Sequence, residues 1–245
     1  MSACPSQAGC AVLRPRKRLA IMQPYLFPYL GYFQLLHAVD EYVVYDDVNF
    51  IKGGWINRNN ILMNGERKLF SIALVQASPN RLINEIDIKD DFAKFLKMIE
   101  NVYARAPCQE PVMELLKRIC SSDDKNLARF CMRSLEKIAS YIGIDTPMIF
   151  SSEIMKSNGL RGQEKVMHIC ELQDANCYVN AIGGQALYDR AAFDLHAISL
   201  RFLKTREIRY KQFNQAFIPN LSMIDVLMFN EPQAIRGMLN EYDLL

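Results

Sequence analysis

The sequence predicts an α/β fold, with a parallel or mixed sheet, flanking helices and a mainly helical insertion. Two short apolar runs, at 19–22 and 42–45, are typical of buried parallel strands, which are apolar throughout rather than alternating. Helical periodicity dominates from about 90 to 143, and strands alternate with helices after this block. We therefore expect a flexible leader at 1–17 and a single domain at 18–245.

The two apolar runs and the segment between them predict a βαβ unit. About 18 residues separate the runs, including a short helix candidate at 31–39, and a parallel crossover needs about a dozen or more. A β-hairpin is expected next, because Asn64-Gly65 lies between strand-like segments at 60–63 and 68–72. Both turn residues tolerate the positive φ that a tight hairpin requires.

Three amphipathic helices make up the helical insertion. Asp91 is placed to cap the first, whose apolar residues recur at helical spacing from Phe92 to Tyr103. The same spacing recurs at 112–119 and at 127–142, and Gly143 ends the block. The remaining elements are expected as strands at 148–150, 177–180 and 198–203 and as a helix at 162–174.

Charge and hydropathy argue against two classes of protein. The net charge is +2, but the segment 14–18 contributes four positive charges without an acid, which leaves 25 basic against 27 acidic residues in the rest. This balance gives no support to nucleic-acid binding. No apolar run approaches the roughly 18 to 20 residues that cross a bilayer. We therefore expect no membrane span and a cytoplasmic location.

The sequence predicts no metal centre and no bound cofactor. The seven cysteines form no CxxC pair, and the three histidines share no metal-ligand spacing. The motifs GxSxG, GxxxxGKS/T and GxGxxG are absent. Nothing in the sequence therefore supports an α/β-hydrolase, a P-loop ATPase or a nicotinamide enzyme.

Polar residues follow the predicted strands, at the positions where open α/β sheets bind their ligands. Gln23 and Tyr25 follow the first strand, Asp46-Asp47 follows the second, and Asn180 ends a later one. Because Asp46 and Asp47 are adjacent in an extended segment, their side chains point to opposite faces, and one of the two is expected to be structural. Ordinary polar loops and helix caps would give the same pattern.

The densest polar cluster surrounds the only tryptophan, Trp55, whose flat apolar face suits a sugar or a base. Arg58 offers a planar guanidinium to a phosphate or carboxylate, and Lys52 adds a second cation. Asn57 and Asn59 offer amides that suit hydroxyl groups. The alternative interpretation is structural: a glycine turn, an anchored indole and the exposed start of a hairpin.

A predicted helix start near the C-terminus adds secondary candidates. Ser222 lies three residues before Asp225, as in a capping box, and this spacing favours a structural role. The free N-terminus of such a helix can also bind an anion. Asn220 and Ser222 therefore remain candidate binding residues.

Several segments resemble those of a known family. They are IMQPYLFPYLGYF at 21–33, YDDVNFIK at 45–52 and WINRN at 55–59, with later matches within 178–188 and 217–227. On these segments the chain resembles the WbqC-like family from residue 18 to about residue 240. The leader lies outside the resemblance, and the helical block matches only in general character.

The resemblance implies a role in building bacterial surface polysaccharides such as the O-antigen of lipopolysaccharide. It implies a transferase that places an acyl or aminoacyl group on the amine of a nucleotide-linked amino sugar. The donor would be an external acyl or aminoacyl thioester, or a carrier protein that bears one. The alternative is a non-catalytic protein that binds a nucleotide sugar or a glycan.

The family pattern also implies candidate site residues, to which we assign roles by chemistry. They are Gln23, Tyr25, Asp47, Lys52, Asn57, Arg58 and Asn59, with Asn220, Ser222 and Asp225 from the closing segment. Asp47 is the candidate base, and Asn57 or Asn59 is the candidate donor to the oxyanion. Lys52 and Arg58 would hold the diphosphate.

Overall fold

The structure, a computed structural model, describes residues 16–157, 159–213 and 216–245. The strands are β1 (Arg18–Met22), β2 (Glu41–Val44), β3 (Arg58–Met63), β4 (Glu66–Ser71), β5 (Leu74–Val75), β6 (Asp87–Ile88), β7 (Met148–Phe150), β8 (Cys177–Ala181), β9 (Ser199–Thr205) and β10 (Tyr242–Leu244). The helices are α1 (Leu30–His37), α2 (Ala93–Val102), α3 (Gln109–Cys120), α4 (Leu127–Ile142), α5 (Gly162–Leu172), α6 (Arg190–Leu195), α7 (Met223–Phe229) and α8 (Pro232–Met238).

The central sheet has six strands in the order β10-β9-β8-β1-β2-β7. Five of them are parallel, and β10 pairs with β9 in the antiparallel direction at one edge. The chain builds this sheet outward from β1, first through β2 and β7 and then, on the other side, through β8 and β9. The predicted fold class is confirmed, and the reversal of strand order between β1 and β8 marks where a doubly wound sheet binds ligands.

The locally encoded elements form as expected. Strands β1 and β2 are parallel, with Leu19 opposite Glu41, and α1 connects them as the crossover helix. The turn between β3 and β4 has φ values of 52° at Asn64 and 79° at Gly65, the left-handed conformation predicted for this dipeptide. Helices α2, α3 and α4 form the predicted helical block, and Gly143 ends it with φ 77°.

The sheet separates two apolar clusters. Alternation along β1 places Leu19 and Ile21 in the smaller cluster, with residues of α5 and α6, and places Ala20 in the larger one. The larger cluster also includes residues of α1, the helical block, α7 and α8. Both faces of the parallel sheet are therefore covered, as such strands require.

Some boundaries differ from expectation. Helix α2 begins at Ala93, and its N-cap is Phe92 in the left-handed region, while an oxygen of Asp91 accepts a hydrogen bond from the Ala93 amide at 3.1 Å. Asp91 therefore caps from one residue further out than predicted. Helices α6 and α8 and strands β5, β6 and β10 are not predicted from the sequence, because they are too short to show a periodic apolar pattern.

Lys17, which the sequence assigns to the leader, lies against the sheet. Its backbone carbonyl accepts hydrogen bonds from the amides of Asn176 and Cys177, both at 3.2 Å, and its ammonium lies 2.6 Å from Glu41. Arg16 is also described, whereas residues 1–15 of the predicted leader lie outside the described residues. Among the described helices none is long and apolar enough to cross a membrane. That residues 18–245 form a single domain remains a prediction.

Candidate functional site

Asp46 and Asp47 follow β2 at the carboxyl edge of the sheet and have different surroundings. Asp46 is buried, and its carboxylate accepts hydrogen bonds from the Ser152 amide at 2.9 Å, the Ser152 hydroxyl at 2.6 Å and the Asn84 amide at 3.2 Å. These bonds fasten the turn after β7 and the turn at Asn84 to the end of β2. Asp46 is therefore the structural member of the pair.

Asp47 is enclosed by two lysines that the sequence analysis did not identify. One oxygen, Oδ2, lies 2.9 Å from the ammonium of Lys156 and 3.1 Å from that of Lys165. The exposed fractions of the three side chains are only 17%, 10% and 14%. Lys165 also lies 4.8 Å from the ring centroid of Tyr45, a cation–π contact. We call Asp47, Lys156, Lys165, Tyr45 and the adjacent Ser151 the carboxyl-edge cluster.

The charges of this cluster do not cancel, because two ammonium groups share one carboxylate. Burial on its own would raise the pKa of Asp47, but hydrogen bonds from Lys156, Ser151 and Lys165 outweigh burial and lower it. The other carboxylate oxygen, Oδ1, and the hydroxyl of Ser151 are buried without a well-aligned hydrogen-bond partner among the described residues. Lys156 also donates to the backbone carbonyls of Ser151 and Ile154, and Lys165 donates to the backbone carbonyl of Asp47 at 3.1 Å. The net positive charge of the cluster therefore favours an anionic group beside the lysines, and Oδ1 can accept a hydrogen bond.

Lys156 and Lys165 come from parts of the chain that only the fold brings to Asp47. Lys156 follows the turn after β7, and Lys165 lies in the first turn of α5. A helix that crosses back from one parallel strand to the next begins at the carboxyl edge, so its first turn faces the ligand site. The first turn of the predicted helix at 162–174 is therefore the sequence signal that indicates Lys165.

Asn180 lies one residue before the end of β8, and Gln23 directly follows β1. The two residues therefore lie on either side of the reversal in strand order. Asn180 is buried, and its side-chain oxygen accepts the Ala181 amide at 2.7 Å. The backbone carbonyl of Gln23 accepts the Tyr32 hydroxyl at 2.6 Å, whereas its side-chain amide makes no hydrogen bond to the described residues. Continued alternation of β1 assigns Gln23 to the face of Ile21, the same face that carries Tyr45.

Asn59 and Ser222 hold the loop after β1. The Asn59 amide donates to the backbone carbonyls of Leu26 at 3.0 Å and Phe27 at 2.7 Å, and the Ser222 hydroxyl also donates to the Phe27 carbonyl at 2.7 Å. Both side chains are buried, and Phe27 adopts a positive φ of 42°. The opening and closing segments of the family resemblance therefore meet in one hydrogen-bonded junction. Tyr25, in the same loop, stacks on Tyr32 at 5.6 Å between ring centroids.

We expect Asn59→Ala to lower the free energy of unfolding by about 1 to 3 kcal/mol, because the Leu26 carbonyl loses its side-chain donor in a buried position. Urea unfolding of the two proteins measures this difference. Asn101→Ala, an exposed change on α2, is the matched control and should stay within about 0.5 kcal/mol of wild type. Equal stability of Asn59→Ala and wild type would contradict the anchoring role.

The loop around Trp55 is held by its own backbone. The Nε of Arg58 donates to the Gly54 carbonyl at 2.8 Å, and its guanidinium carbon lies 5.5 Å from the Trp55 ring centroid. Asn57 donates to the Ile72 carbonyl at 3.0 Å, and Lys52 is exposed. The terminal nitrogens of Arg58 and the 41% exposed indole remain available to a ligand.

Asp225 is a buried hub rather than a capping residue. Its carboxylate accepts hydrogen bonds from the Tyr103 hydroxyl at 2.8 Å, the Tyr210 hydroxyl at 2.6 Å and the Gln212 amide at 2.8 Å. Burial raises the pKa of Asp225 even though these three bonds act in the opposite direction. Ser222 does cap α7, because its hydroxyl accepts a hydrogen bond from the Ile224 amide at 3.3 Å, and the predicted helix start is confirmed. The prediction that Asp225 completes a capping box is wrong.

Asn220 makes no hydrogen bond to the residues of this hub. It is exposed, with φ 57°, and lines a cavity of about 550 Å³ together with Tyr29 and Tyr210. The structure thus divides the predicted site residues into the carboxyl edge, the loop junction with Asp225, and the Trp55 loop. Among the described residues, no hydrogen bond, ion pair or ring contact joins the carboxyl-edge cluster to the Trp55 loop. Their convergence on one ligand remains a prediction.

The lowered pKa of Asp47 predicts an acid-dependent loss of stability. A folded-state pKa below the unfolded value of about 4 stabilises the fold above that value, and the stabilisation disappears as the pH falls through the folded pKa. Urea unfolding between pH 2 and 7 should show wild type more stable than Asp47→Asn at neutral pH and a shrinking difference in acid. The exposed variant Asp145→Asn is the matched control. A difference that does not change with pH would contradict the ion-pair cluster.

The fold and this edge define a doubly wound α/β protein with a basic, largely buried polar cluster at the carboxyl ends of its parallel strands. The chain belongs to the WbqC-like protein family, whose model matches residues 23–237. It is 29% identical over 219 residues to a Mycobacterium tuberculosis protein named as uncharacterized protein Rv1507c, covering 87% of this chain and 94% of that protein. No solved structure matches the chain significantly.

Proposed function

We propose that this protein is a cytoplasmic enzyme of bacterial surface-polysaccharide biosynthesis, which transfers an acyl or aminoacyl group to the amine of a nucleotide-linked amino sugar. The family resemblance suggests this reaction class. The observation that carries the proposal is the carboxyl-edge cluster, in which Asp47 lies between Lys156 and Lys165 and its other buried oxygen, Oδ1, has no well-aligned hydrogen-bond partner among the described residues. The cluster pairs an anion-binding group with a hydrogen-bond acceptor, as a nucleotide-linked amino sugar requires.

In this proposal the two lysines hold the diphosphate, and Oδ1 of Asp47 holds the sugar amine. The amine nitrogen attacks the thioester carbonyl, the new C–N bond forms and the C–S bond breaks. The amine attacks in its neutral form, and its nitrogen carries a positive charge in the tetrahedral intermediate until it loses one proton. Because Asp47 has a lowered pKa, it is a weak base and stays ionised beside this nitrogen. The departing thiolate, with a usual pKa of about 8.5, is the stronger base and takes the proton that the amine loses.

The asparagines then divide between two roles. Asn57 keeps one amide hydrogen after its bond to the Ile72 carbonyl, so it would donate to the oxyanion if the Trp55 loop reaches the same ligand as the carboxyl-edge cluster. Both amide hydrogens of Asn59 go to the carbonyls of Leu26 and Phe27, so we assign Asn59 to positioning the loop after β1. Gln23 and Asn180 would meet sugar hydroxyls, and Trp55 with Arg58 would meet the nucleotide if the Trp55 loop reaches the same ligand.

The test is turnover by purified protein with UDP-linked amino sugars and acyl or aminoacyl thioesters, followed by thiol release and by the mass increase of the sugar. We expect Asp47→Asn to reduce turnover by about 100-fold while nucleotide-sugar affinity changes only a few-fold, since the lysines remain. Asp145→Asn, an exposed change, is the matched control. Unchanged turnover in Asp47→Asn would contradict the assigned role.

A second candidate function is non-catalytic binding of a nucleotide sugar or glycan. It is favoured by the surroundings of Ser152 and Cys177, whose hydroxyl and thiol groups lie near strand ends and would be the nucleophiles of a covalent mechanism. Ser152 donates its hydroxyl to Asp46 without a histidine between them, and Cys177 is buried at the amino end of β8, away from the carboxyl edge. Binding of the sugar without thiol release or a mass increase for any donor would favour this function.

A further inference from the structure

A second cavity lies away from the carboxyl edge, between the tip of the β3–β4 hairpin, the end of α2 and the segment before α7. Its volume is about 740 Å³, within the range of small-molecule sites. Its apolar wall includes Leu62, Phe213 and Phe229, and its rim carries two cations, Arg105 and Lys211. No residue of the carboxyl-edge cluster lines this cavity.

The aromatic wall is held in place from behind. The rings of Phe213 and Phe229 meet edge to face at 4.8 Å, and Tyr103 packs against both, at 6.4 Å and 6.0 Å. The Tyr103 hydroxyl donates to Asp225 at 2.8 Å and accepts the Leu62 amide at 3.1 Å. The wall is therefore fixed before any ligand arrives, which reduces the entropic cost of binding.

The charges at the rim have one sign. No acidic side chain is among the described residues that line the cavity. Neither the Arg105 guanidinium nor the Lys211 ammonium makes an ion pair or hydrogen bond to another described residue. Two cations without a counter-charge beside an aromatic wall are complementary to a molecule that carries an anionic group on an apolar body.

We propose that this cavity binds an organic anion with an aromatic body, such as an aromatic sulfonate, carboxylate or phosphate. The aromatic part lies against Phe213 and Phe229, and the anionic group pairs with Arg105 and Lys211. This site is separate from the carboxyl-edge cluster, and the proposal does not depend on the function proposed there.

The test uses the full chain and two fluorescent probes of similar size. One is 1-anilinonaphthalene-8-sulfonate, and the other is N-phenyl-1-naphthylamine, which lacks the sulfonate. We expect wild type to bind the sulfonate at one site per chain and the neutral probe about tenfold or more weakly, because only the former can make charge-assisted contacts. The double variant Arg105→Gln/Lys211→Gln should bind the sulfonate about tenfold or more weakly than wild type does.

The matched control is Lys117→Gln/Arg118→Gln, which removes two exposed cations of α3 outside the cavity and should bind the sulfonate as wild type does. Because Arg105 and Lys211 are exposed, their double variant should keep the thermal midpoint of wild type, which shows that it is folded. Equal sulfonate affinity in that variant and wild type would overturn the proposal. Failure of wild type to bind the sulfonate, or equal affinity for the two probes, would also overturn it.

Discussion

Replacing Asp225 with alanine is expected to lower the free energy of unfolding by about 3 to 5 kcal/mol, because three buried donors lose their acceptor together. These donors are the hydroxyls of Tyr103 and Tyr210 and the amide of Gln212. For a chain of this length the thermal midpoint should fall by roughly 10 °C. The surface variant Asp243→Ala, which removes only an exposed ion pair with Arg206, should change the midpoint little.

The charge of Asp225 can be separated from its hydrogen bonds with Asp225→Asn. Since the folded-state pKa of Asp225 is raised, its contribution to stability falls as the pH rises from the unfolded value of about 4 through the folded value. The asparagine variant has no such titration, so its deficit relative to wild type should shrink as the pH rises. Urea unfolding across pH 3 to 8 measures both effects. A loss of less than about 1 kcal/mol in Asp225→Ala would contradict the hub.

Replacing both lysines of the carboxyl-edge cluster, as Lys156→Met/Lys165→Met, is expected to weaken nucleotide-sugar binding by about 100-fold or more. Methionine keeps much of the length of the side chain and removes the two charge-assisted contacts that we propose to the diphosphate. The same change leaves Asp47 largely buried without its partners, so stability should also fall. Calorimetric titration and urea unfolding measure the two losses separately.

A third substitution separates binding from folding. Adding Asp47→Asn to the lysine pair removes the unpartnered charge, so we expect stability to recover while binding does not. Lys117→Met/Lys137→Met, which changes two exposed lysines of α3 and α4, is the matched control. Recovery of binding together with stability would show that the lysines act only on the fold.

The parts of the fold that depend on neighbouring residues could be predicted from the sequence. The apolar run at 19–22 encodes a buried strand, and Asn64-Gly65 encodes its own turn through the φ values both residues tolerate. The helical block is encoded by apolar spacing, and its end by Gly143. In each case the determining interaction lies within a few residues of the element.

The site could be predicted only in part, because its contacts join residues that are far apart in the sequence and that only the folded sheet brings together. Polar residues at strand ends indicated Asp47, but nothing local to it indicates Lys156 or Lys165, which are more than 100 positions further along the chain. The same limit applies to Asn59. Its amide is a plausible ligand-binding group in the sequence, but in the structure it donates to the backbone carbonyls of Leu26 and Phe27, more than 30 positions earlier in the chain. The sequence shows which chemical group each side chain carries, but it does not show which residue that group contacts in the folded chain.

Our central proposal is that the carboxyl-edge cluster binds a nucleotide sugar. A crystal structure of wild type soaked with UDP-glucosamine tests it most directly. We expect the diphosphate within hydrogen-bond distance of the ammonium groups of Lys156 and Lys165, and the sugar amine at Oδ1 of Asp47. Density for the nucleotide sugar elsewhere, for example on the Trp55 loop alone, with the Asp47 ion pairs unchanged, would contradict the assignment.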